Sequence, residues 1–225
     1  MNEWSDEIQN LLDASVVFHG HLCGGQVIGV RMAVAGLNAL GILNPKSKEG
    51  RNLIIFAECD RCPIDAIISV TGRTPGKRSV RLMDYGKTAA TFCDVSTGKA
   101  VRVAVKSDIF EKAKRTAQEN QMKTDKNDGD IYGLKYMAED ELLTVQNVRV
   151  EIAPQDLPGL PLETVTCCRC GETVKDRRHI VDDGKTLCRP CAYGVNYYGA
   201  CSSDSGETGC GTVIIKKNGV TRERN

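Results

Sequence analysis

The sequence predicts an α+β fold, with a core domain of helices and antiparallel sheet followed by a small cysteine-rich domain. Two segments of helical or wholly apolar character open the chain, and short β-rich segments follow them. Two closely spaced cysteine pairs lie beyond a proline-rich stretch. A chain of 225 residues can bury one full core and still carry a small appended module.

Two helices are predicted at the beginning of the chain. Residues 3–17 carry apolar side chains at helical spacing, namely Trp4, Ile8, Leu11, Leu12 and Val16. Residues 26–43 are apolar almost throughout, with Arg31 and Asn38 as the main polar interruptions. Because a helix that is apolar on nearly every side must be buried, we expect it inside the core or against a second copy of the chain.

A buried strand and a third helix come next. Residues 53–57 are typical of a buried strand, and Pro63 then opens a helix that has Asp65 in its first turn. β-rich runs at 79–83, 87–94 and 100–105 follow, with a hairpin turn at 96–99. Beyond them the pattern predicts a helix at 108–121, a mobile polar loop at 122–130, a helix at 138–143 and a strand at 144–152.

Residues that break regular structure mark the domain boundary: Pro154, Pro158, Gly159 and Pro161 crowd one short segment. We therefore expect the core domain at residues 1–152, a linker at 153–163 and the cysteine-rich domain at 164–195. The tail at 196–225 contains two further cysteines and a strand-like run at 213–215, and no fold is predicted for it.

The cysteine pairs form the pattern C-x2-C-x17-C-x2-C with Cys167, Cys170, Cys188 and Cys191. Two such turns complete the tetrahedral sulfur shell that Zn²⁺ accepts, so residues 164–195 are predicted to be a zinc ribbon. Cys168 leaves only one residue before Cys170 and is expected to be spare. The alternatives are a histidine ligand between the two pairs, four thiols without metal, or two disulfides.

A second group of candidate ligands lies in the core. His19, His21 and Cys23 alternate before two glycines, and an extended turn would direct all three side chains the same way. Cys59 and Cys62 form another C-x2-C, which taken alone also suits a redox pair or structural cysteines. Since helix N-termini favour thiolates, Cys23, Cys62 and His21 are candidate catalytic residues. All five residues are candidate ligands of a second divalent metal, and a hydrogen-bonded structural turn is the alternative.

Composition restricts the partners and the compartment. The 30 basic and 29 acidic residues give a net charge of +1, so nucleic acid is a weakly supported partner of the ribbon. No run approaches 18 apolar residues, and no membrane association is expected. Eleven cysteines, an odd number grouped in short-spaced sets, favour a reducing compartment, and we expect the protein in the cytoplasm.

Five stretches of the core form a set of specific motifs: FHGHLCGG from residue 18, GVRM from 29, ECDRCPIDAI from 58, TGRTPGK from 71 and DYGK from 84. Together they resemble the FmdE family, which takes its name from formylmethanofuran dehydrogenase. The resemblance covers residues 5–191 and implies an α+β core, a zinc ribbon and an intertwined homodimer. It maps the family's histidine and cysteine positions onto His21, Cys23 and Cys62. Relatives often have cysteine where this chain has Arg73, so chemistry that needs that thiol is in question.

Two classes of function are compatible with these features. The first is a metal-binding accessory or regulatory protein, whose core holds a metal or small ligand and whose ribbon contacts a protein partner. The second is an enzyme, or a component of a formylmethanofuran dehydrogenase-like oxidoreductase, in one-carbon metabolism. The first is favoured because neither a complete nucleophile and base set nor a phosphate-binding loop can be identified, and no cysteine spacing suits a ferredoxin-type cluster.

Overall fold

The computed structural model describes residues 4–120 and 128–198 of the chain. The chain divides into two compact units, Met1–Leu160 and Pro161–Asn225. The first is built of helices and a mixed sheet, which confirms the predicted α+β class. Cys201, Cys210 and the strand-like run at 213–215 lie outside the described residues.

Six helices and five strands make up the described part of the first unit. The helices are α1 (Asp6–His19), α2 (Gly24–Leu40), α3 (Pro63–Thr71), α4 (Ile109–Glu119), α5 (Asp128–Tyr136) and α6 (Glu139–Leu142). The strands are β1 (Leu53–Ala57), β2 (Val80–Leu82), β3 (Ala89–Asp94), β4 (Lys99–Val105) and β5 (Leu143–Asn147). Within the described residues, no helix has both the length and the apolar character needed to cross a bilayer.

The sheet has the order β2-β1-β3-β4-β5. β1 and β2 are parallel and are joined through α3, whereas the other neighbouring pairs are antiparallel. Every residue of β3 is buried, so the middle of the sheet is covered on both faces. The parallel pair is the one departure from the antiparallel sheet that the sequence predicted.

Helix α2 lies at the centre of the core. It packs against α1, α3, α5, β3 and β4, and twelve of its 17 residues are buried within one chain. The predicted burial is therefore achieved inside the core. The apolar circumference of this helix does not require a second copy of the chain, so it is not an argument for a dimer.

Two glycines allow α2 to approach its neighbours closely. A Cβ atom at Gly29 would lie 2.4 Å from the carbonyl oxygen of Pro63 and 2.6 Å from the Cβ of Ala66. A Cβ atom at Gly36 would lie 2.5 Å from the ring of Phe92 in β3. Any side chain at Gly29 or Gly36 would overlap these atoms. Glycine at both positions therefore allows the short distances from α2 to α3 and from α2 to the sheet.

Two expectations were wrong at the end of the core. A mobile loop was predicted at 122–130, but residues 128–130 are helical because α5 begins at Asp128; the rest of that prediction lies outside the described residues. Helix α5 has a weak apolar pattern and packs on α4 so closely that a Cβ at Gly133 would lie 1.9 Å from the Ala113 carbonyl oxygen. The strand predicted at 144–152 ends at Asn147, which pairs with Val101 of β4. One further hydrogen bond joins the Val148 N–H to the carbonyl oxygen of Ala100, and the regular pairing stops there.

Part of the predicted linker is attached to the first unit. Pro154–Asp156 form a turn of 3-10 helix. The guanidinium of Arg78 donates to the carbonyl oxygen of Gln155, and that of Arg81 donates to the carbonyl oxygen of Asp156. These bonds hold the segment beside the β2 region, and the first unit extends to Leu160.

The described part of the second unit contains two short hairpins followed by one helix. β6 (Thr164–Thr166) pairs with β7 (Thr173–Lys175), β8 (Ile180–Asp182) pairs with β9 (Lys185–Leu187), and α7 spans Arg189–Tyr193. Of the residues described in this unit, only Cys167 and Cys188 are buried. Such a small core cannot stabilise a fold by apolar burial, so another source of stability is required.

Arg31, the charged residue of α2, forms hydrogen bonds with the C-terminal end of α5. Its Nη1 donates to the carbonyl oxygens of Leu134 at 2.9 Å and Met137 at 2.8 Å. Burial lowers the pKa of the guanidinium, and the carboxylate of Glu139 partly offsets that effect. The side chain therefore satisfies carbonyl groups that the helix end leaves without partners.

We expect Arg31→Met to lower the free energy of unfolding by about 2 kcal/mol, since it leaves two buried carbonyl oxygens unsatisfied. Urea denaturation measures the change. Arg115→Met, which alters an exposed residue of α4, is the matched control and should change the free energy of unfolding by less than about 0.5 kcal/mol. Equal losses in the two variants would contradict the role assigned to Arg31.

Candidate functional site

Three potential metal ligands meet in the core: His19, Cys23 and Cys62. One ligand atom from each lies within 4.8 Å of the other two. His19 is the last residue of α1, Cys23 is the N-cap of α2, and Cys62 is the N-cap of α3. The cluster thus forms where one helix ends and two others begin.

Only one of the two ring nitrogens of His19 forms a hydrogen bond with the described residues. Its Nδ1 donates to Oδ2 of Asp65 at 2.8 Å. Its Nε2 is buried and has no hydrogen-bond partner among the described residues. A carboxylate on the far nitrogen of a histidine fixes the ring and the tautomer in metal sites. This arrangement leaves Nε2 as the atom available to a ligand.

The two thiols are held close together by the start of α2. A Cβ atom at Gly25 would lie 2.6 Å from the Cβ of Cys62. Burial raises the pKa of the Cys62 thiol, and hydrogen bonding and charge repulsion with Cys23 raise it further. Two adjacent thiols resist double ionisation in this way unless a cation neutralises them.

A buried amide links the three elements of the cluster. Gln26 of α2 donates through Nε2 to the carbonyl oxygen of Cys62 at 2.7 Å, and its Oε1 accepts from the hydroxyl of Ser15 in α1. Both side chains are fully buried. The bonds connect α1, α2 and the residue before α3, so they fix the relative positions of the three candidate ligands.

The structure differs from the sequence hypothesis in its choice of histidine. Helix α1 extends to His19 and ends at Gly20, whose φ of 98° turns the chain. His21 is exposed and lies outside the ligand group, although its ring centroid is 4.7 Å from that of His19. Cys59 is buried and also lies outside the group. The expected alternation of an extended turn fails because His19 is still helical.

Sequence reasoning missed Asp65, Gln26 and Ser15 as supporting residues. Asp65 was interpreted as an acidic residue favouring a helix N-terminus, whereas its carboxylate accepts a hydrogen bond from His19. A buried glutamine at the start of an apolar helix was the signal that could have identified Gln26. Cys93 of β3 is a buried core residue, and burial raises the pKa of its thiol to about 11.

A cavity of about 520 Å³ opens beside the cluster, with Cys62 and Gly25 in its lining. Near it, Arg102 donates through Nε and Nη2 to the two carboxylate oxygens of Glu58, at 2.6 and 2.8 Å. The hydrogen bonds from Arg102 lower the pKa of the buried Glu58 carboxyl, and the pair is bidentate. The sequence pattern did not indicate this pair.

The second unit gathers the four cysteines that spacing selected. The four Sγ atoms lie within 4.8 Å of one another; they belong to Cys167, Cys170, Cys188 and Cys191. The sulfurs of Cys170 and Cys188 are 3.8 Å apart. The exposed Cys168 is not part of the cluster. Its backbone N–H donates to the carbonyl oxygen of Thr186 in β9 at 2.9 Å. The cluster is consistent with a zinc ribbon.

The four thiols differ in their readiness to ionise. Backbone N–H groups of Cys170 and Cys188 lower the pKa of the Cys167 thiol to about 6. Hydrogen bonding to Cys188 raises the pKa of the Cys191 thiol to about 12. A bound cation would favour the thiolate form of all its cysteine ligands.

Comparisons with known proteins agree with this architecture. Residues 18–150 match the family described as "FmdE, Molybdenum formylmethanofuran dehydrogenase operon". An Archaeoglobus fulgidus protein named "Probable S-adenosyl-L-methionine-binding protein" is 29% identical over 234 residues. That alignment covers 96% of this chain but 59% of the relative, so the chain spans little more than half of that protein's length.

A solved structure has a similar fold. It is a tungsten formylmethanofuran dehydrogenase FmdE-like protein from Syntrophus aciditrophicus, 22% identical to this chain. The superposition has a TM-score of 0.54 and covers 85% of this chain and 95% of the other. At this identity the similarity concerns the fold alone.

We expect Cys170→Ser to lose about one zinc ion per chain and to unfold residues 164–193, because metal binding supplies the folding energy of so small a unit. Cys168→Ser, which changes a neighbouring exposed thiol, should keep both the metal and the fold. Elemental analysis and limited proteolysis measure the two effects. Equal metal loss in the two variants would show that the wrong first pair of ligands had been chosen.

Proposed function

The chain belongs to the FmdE family, and from this premise we propose that it is a metal-binding protein with two distinct sites. In the core, His19, Cys23 and Cys62 hold a divalent metal next to a ligand cavity. In the second unit, Cys167, Cys170, Cys188 and Cys191 hold a structural zinc. The observation that carries the proposal is the buried, unpartnered Nε2 of His19 beside two thiols.

The donor set of the core cluster suits a borderline metal such as Zn²⁺. Two thiolates and one imidazole bind zinc in sites that leave a fourth position for water or substrate. When bound, such an ion polarises a ligand or lowers the pKa of a bound water molecule. The Asp65 carboxylate accepts a hydrogen bond from His19 Nδ1 and so keeps the proton on that nitrogen. The Gln26 amide holds the backbone of Cys62 in position.

The two proposed metal sites differ in the number of protein ligands, as structural and ligand-binding metal sites do. Four protein sulfurs would complete the shell of the ribbon metal and leave no position for a ligand. Three protein ligands would leave the core metal open toward a ligand. We therefore propose that the core site binds a small ligand and that the ribbon contacts a protein partner.

The biological role we propose is that of an accessory or regulatory protein. A second candidate is an enzyme, or a component of an oxidoreductase in one-carbon metabolism, and the cavity beside a three-ligand metal site favours it. The name of the Archaeoglobus relative makes S-adenosyl-L-methionine a candidate ligand for this chain. Turnover of a ligand by the wild type that is lost with the core metal would favour the enzyme.

A reducing compartment suits the thiols of both sites. All nine cysteines that the structure describes are free. Since oxidation of either cluster would remove its metal ligands, we propose that the protein works in the cytoplasm. Nucleic acid remains a less favoured partner of the ribbon, because the chain carries a net charge of only +1.

We expect His19→Ala to lose the core metal and to keep the ribbon zinc, so that the metal content falls from about two ions per chain to about one. His21→Ala is the matched control, since it removes the neighbouring imidazole, and it should keep about two. Elemental analysis of protein purified without added metal measures both. Loss in His21→Ala alone would return the site to the histidine that the family resemblance selected.

A pair of glycines tests the same site without removing a ligand. The Cβ of Gly25→Ala would meet the Cβ of Cys62 at 2.6 Å and displace its thiol, so core metal affinity should fall by at least about tenfold. The Cβ of Gly24→Ala would meet the end of the Leu134 side chain at 3.0 Å and the ring of Phe110 at 3.8 Å, and should leave the affinity within about twofold. Competition with a chromogenic chelator measures the affinities. Equal affinities would contradict the proposed Cys62 geometry.

We also propose that the protein is a homodimer, with Val17 and Phe18 beside the core site as part of the interface. These apolar side chains are 84% and 57% exposed in the single chain. Light scattering at about 10 µM should give twice the chain mass of 24.5 kDa. Val17→Ser with Phe18→Ser should give monomers, and Leu43→Ser, which changes another exposed apolar residue, should not. A monomeric wild type would contradict the proposal.

A further inference from the structure

The cavity beside Cys62 has an unusual electrostatic character. Four of its lining residues are cationic: Arg61, Lys87, Arg102 and Lys106. No aspartate or glutamate is present among its lining residues in the described part of the chain. Its volume of about 520 Å³ lies within the range of small-molecule sites. Unbalanced charge of one sign in such a cavity raises the local concentration of ligands of the opposite sign.

The four cations differ in their partners among the described residues. The hydrogen bonds from Arg102 lower the pKa of the Glu58 carboxyl, and Lys87 also acts on Glu58 through its charge and lowers that pKa further. Arg102 is neutralised by Glu58, and Lys106 donates through Nζ to the backbone carbonyl oxygen of Asp140. The exposed side chains of Arg61 and Lys87, in contrast, make no hydrogen bond or ion pair with the described residues. Their donors are free to bind a ligand from solvent.

Three helices add positive potential at the same place. Gly25 is the second residue of α2, Pro63 is the first of α3, and Ile109 is the first of α4; all three line the cavity. The N-terminus of a helix carries partial positive charge and unpaired N–H groups, which favour anions. Two of the acidic residues near these helix starts bond to other side chains: Asp65 accepts from His19, and Asp108 pairs with Lys112. Asp60 and Glu111 are exposed and do not line the cavity.

The remaining lining gives the cavity an apolar part. Ile28 and Ala89 are buried and line it together with Val105 and the half-exposed Phe110. A cavity with apolar walls and free cations at exposed positions suits an organic molecule that carries an oxyanion. S-adenosyl-L-methionine has a carboxylate, but its sulfonium and ammonium groups give it a net positive charge, so the cations of the cavity disfavour it relative to an organic anion.

We propose that this cavity binds a small organic acid, a carboxylate or a phosphate ester, with its oxyanion on Arg61 and Lys87 and its other end toward Cys62. The inference deepens the proposed function by giving the charge class of the ligand, and it rests on that function only for the reactive end beside the core metal. The cations and helix ends that hold the oxyanion are independent of any metal.

Titration calorimetry of the full chain tests the inference, with citrate, adenosine monophosphate, inorganic phosphate and S-adenosyl-L-methionine as probes. At least one organic anion should bind with a millimolar or lower Kd, and S-adenosyl-L-methionine should bind more weakly than that anion. Citrate and adenosine monophosphate separate carboxylate from phosphate recognition. Inorganic phosphate alone should bind more weakly than adenosine monophosphate, because it lacks an apolar part.

Matched variants then locate the binding. The double variant Arg61→Gln and Lys87→Gln should weaken the anion by at least about tenfold, the value of one charge-assisted hydrogen bond. Lys114→Gln with Arg115→Gln removes the same charge from an exposed stretch of α4 outside the cavity, and should change Kd by less than about twofold. Equal weakening in both double variants, or no binding of any anion to the wild type, would overturn the inference.

Metal analysis of the same samples separates this inference from the proposed function. Wild-type protein that holds the core metal and binds no anion would refute the anion site and leave the metal proposal standing. Wild-type protein that binds the anion without holding a core metal would refute the metal proposal and support the anion site. Cys23→Ser should lose the core metal and keep anion binding within about tenfold.

Discussion

Helix α2 approaches the first turn of α3 so closely that a methyl group at Gly25 or Gly29 would overlap it. The core site depends on this contact. It brings Cys62, at the start of α3, next to Cys23, at the start of α2, and it places both beside the C-terminal end of α1. Packing at this distance leaves little freedom for the cysteines, so the geometry of the site is a consequence of backbone contact.

Buried polar groups then determine which atoms remain available for chemistry. The Gln26 amide is satisfied by Ser15 and by the Cys62 carbonyl, and Nδ1 of His19 is satisfied by Asp65. A buried polar atom without a partner is costly, and among the described residues Nε2 of His19 is such an atom lying beside two thiols. The sheet contributes a bidentate ion pair between Glu58 and Arg102, and the cations that surround the cavity are left in excess.

The two cysteine clusters illustrate two uses of the same side chain. In the second unit, only Cys167 and Cys188 are buried among the described residues, so the thiol cluster occupies the position of a core. In the first unit a large apolar cluster is formed by residues other than Cys23 and Cys62. A metal would therefore stabilise the fold in the second unit and would serve ligand chemistry in the first.

The sequence by itself determined the α+β class, the buried helix α2, the strand β1 and the four clustered cysteines of the second unit, because each depends on local periodicity or spacing. The tertiary structure alone decided the rest. It placed His19 rather than His21 beside the two thiols, because α1 continues as far as His19 and ends at Gly20. It also formed α5 from a weakly apolar segment, which packs on α4. Asp65 and the cavity cations come together from segments far apart in the chain, and no local pattern records such distances.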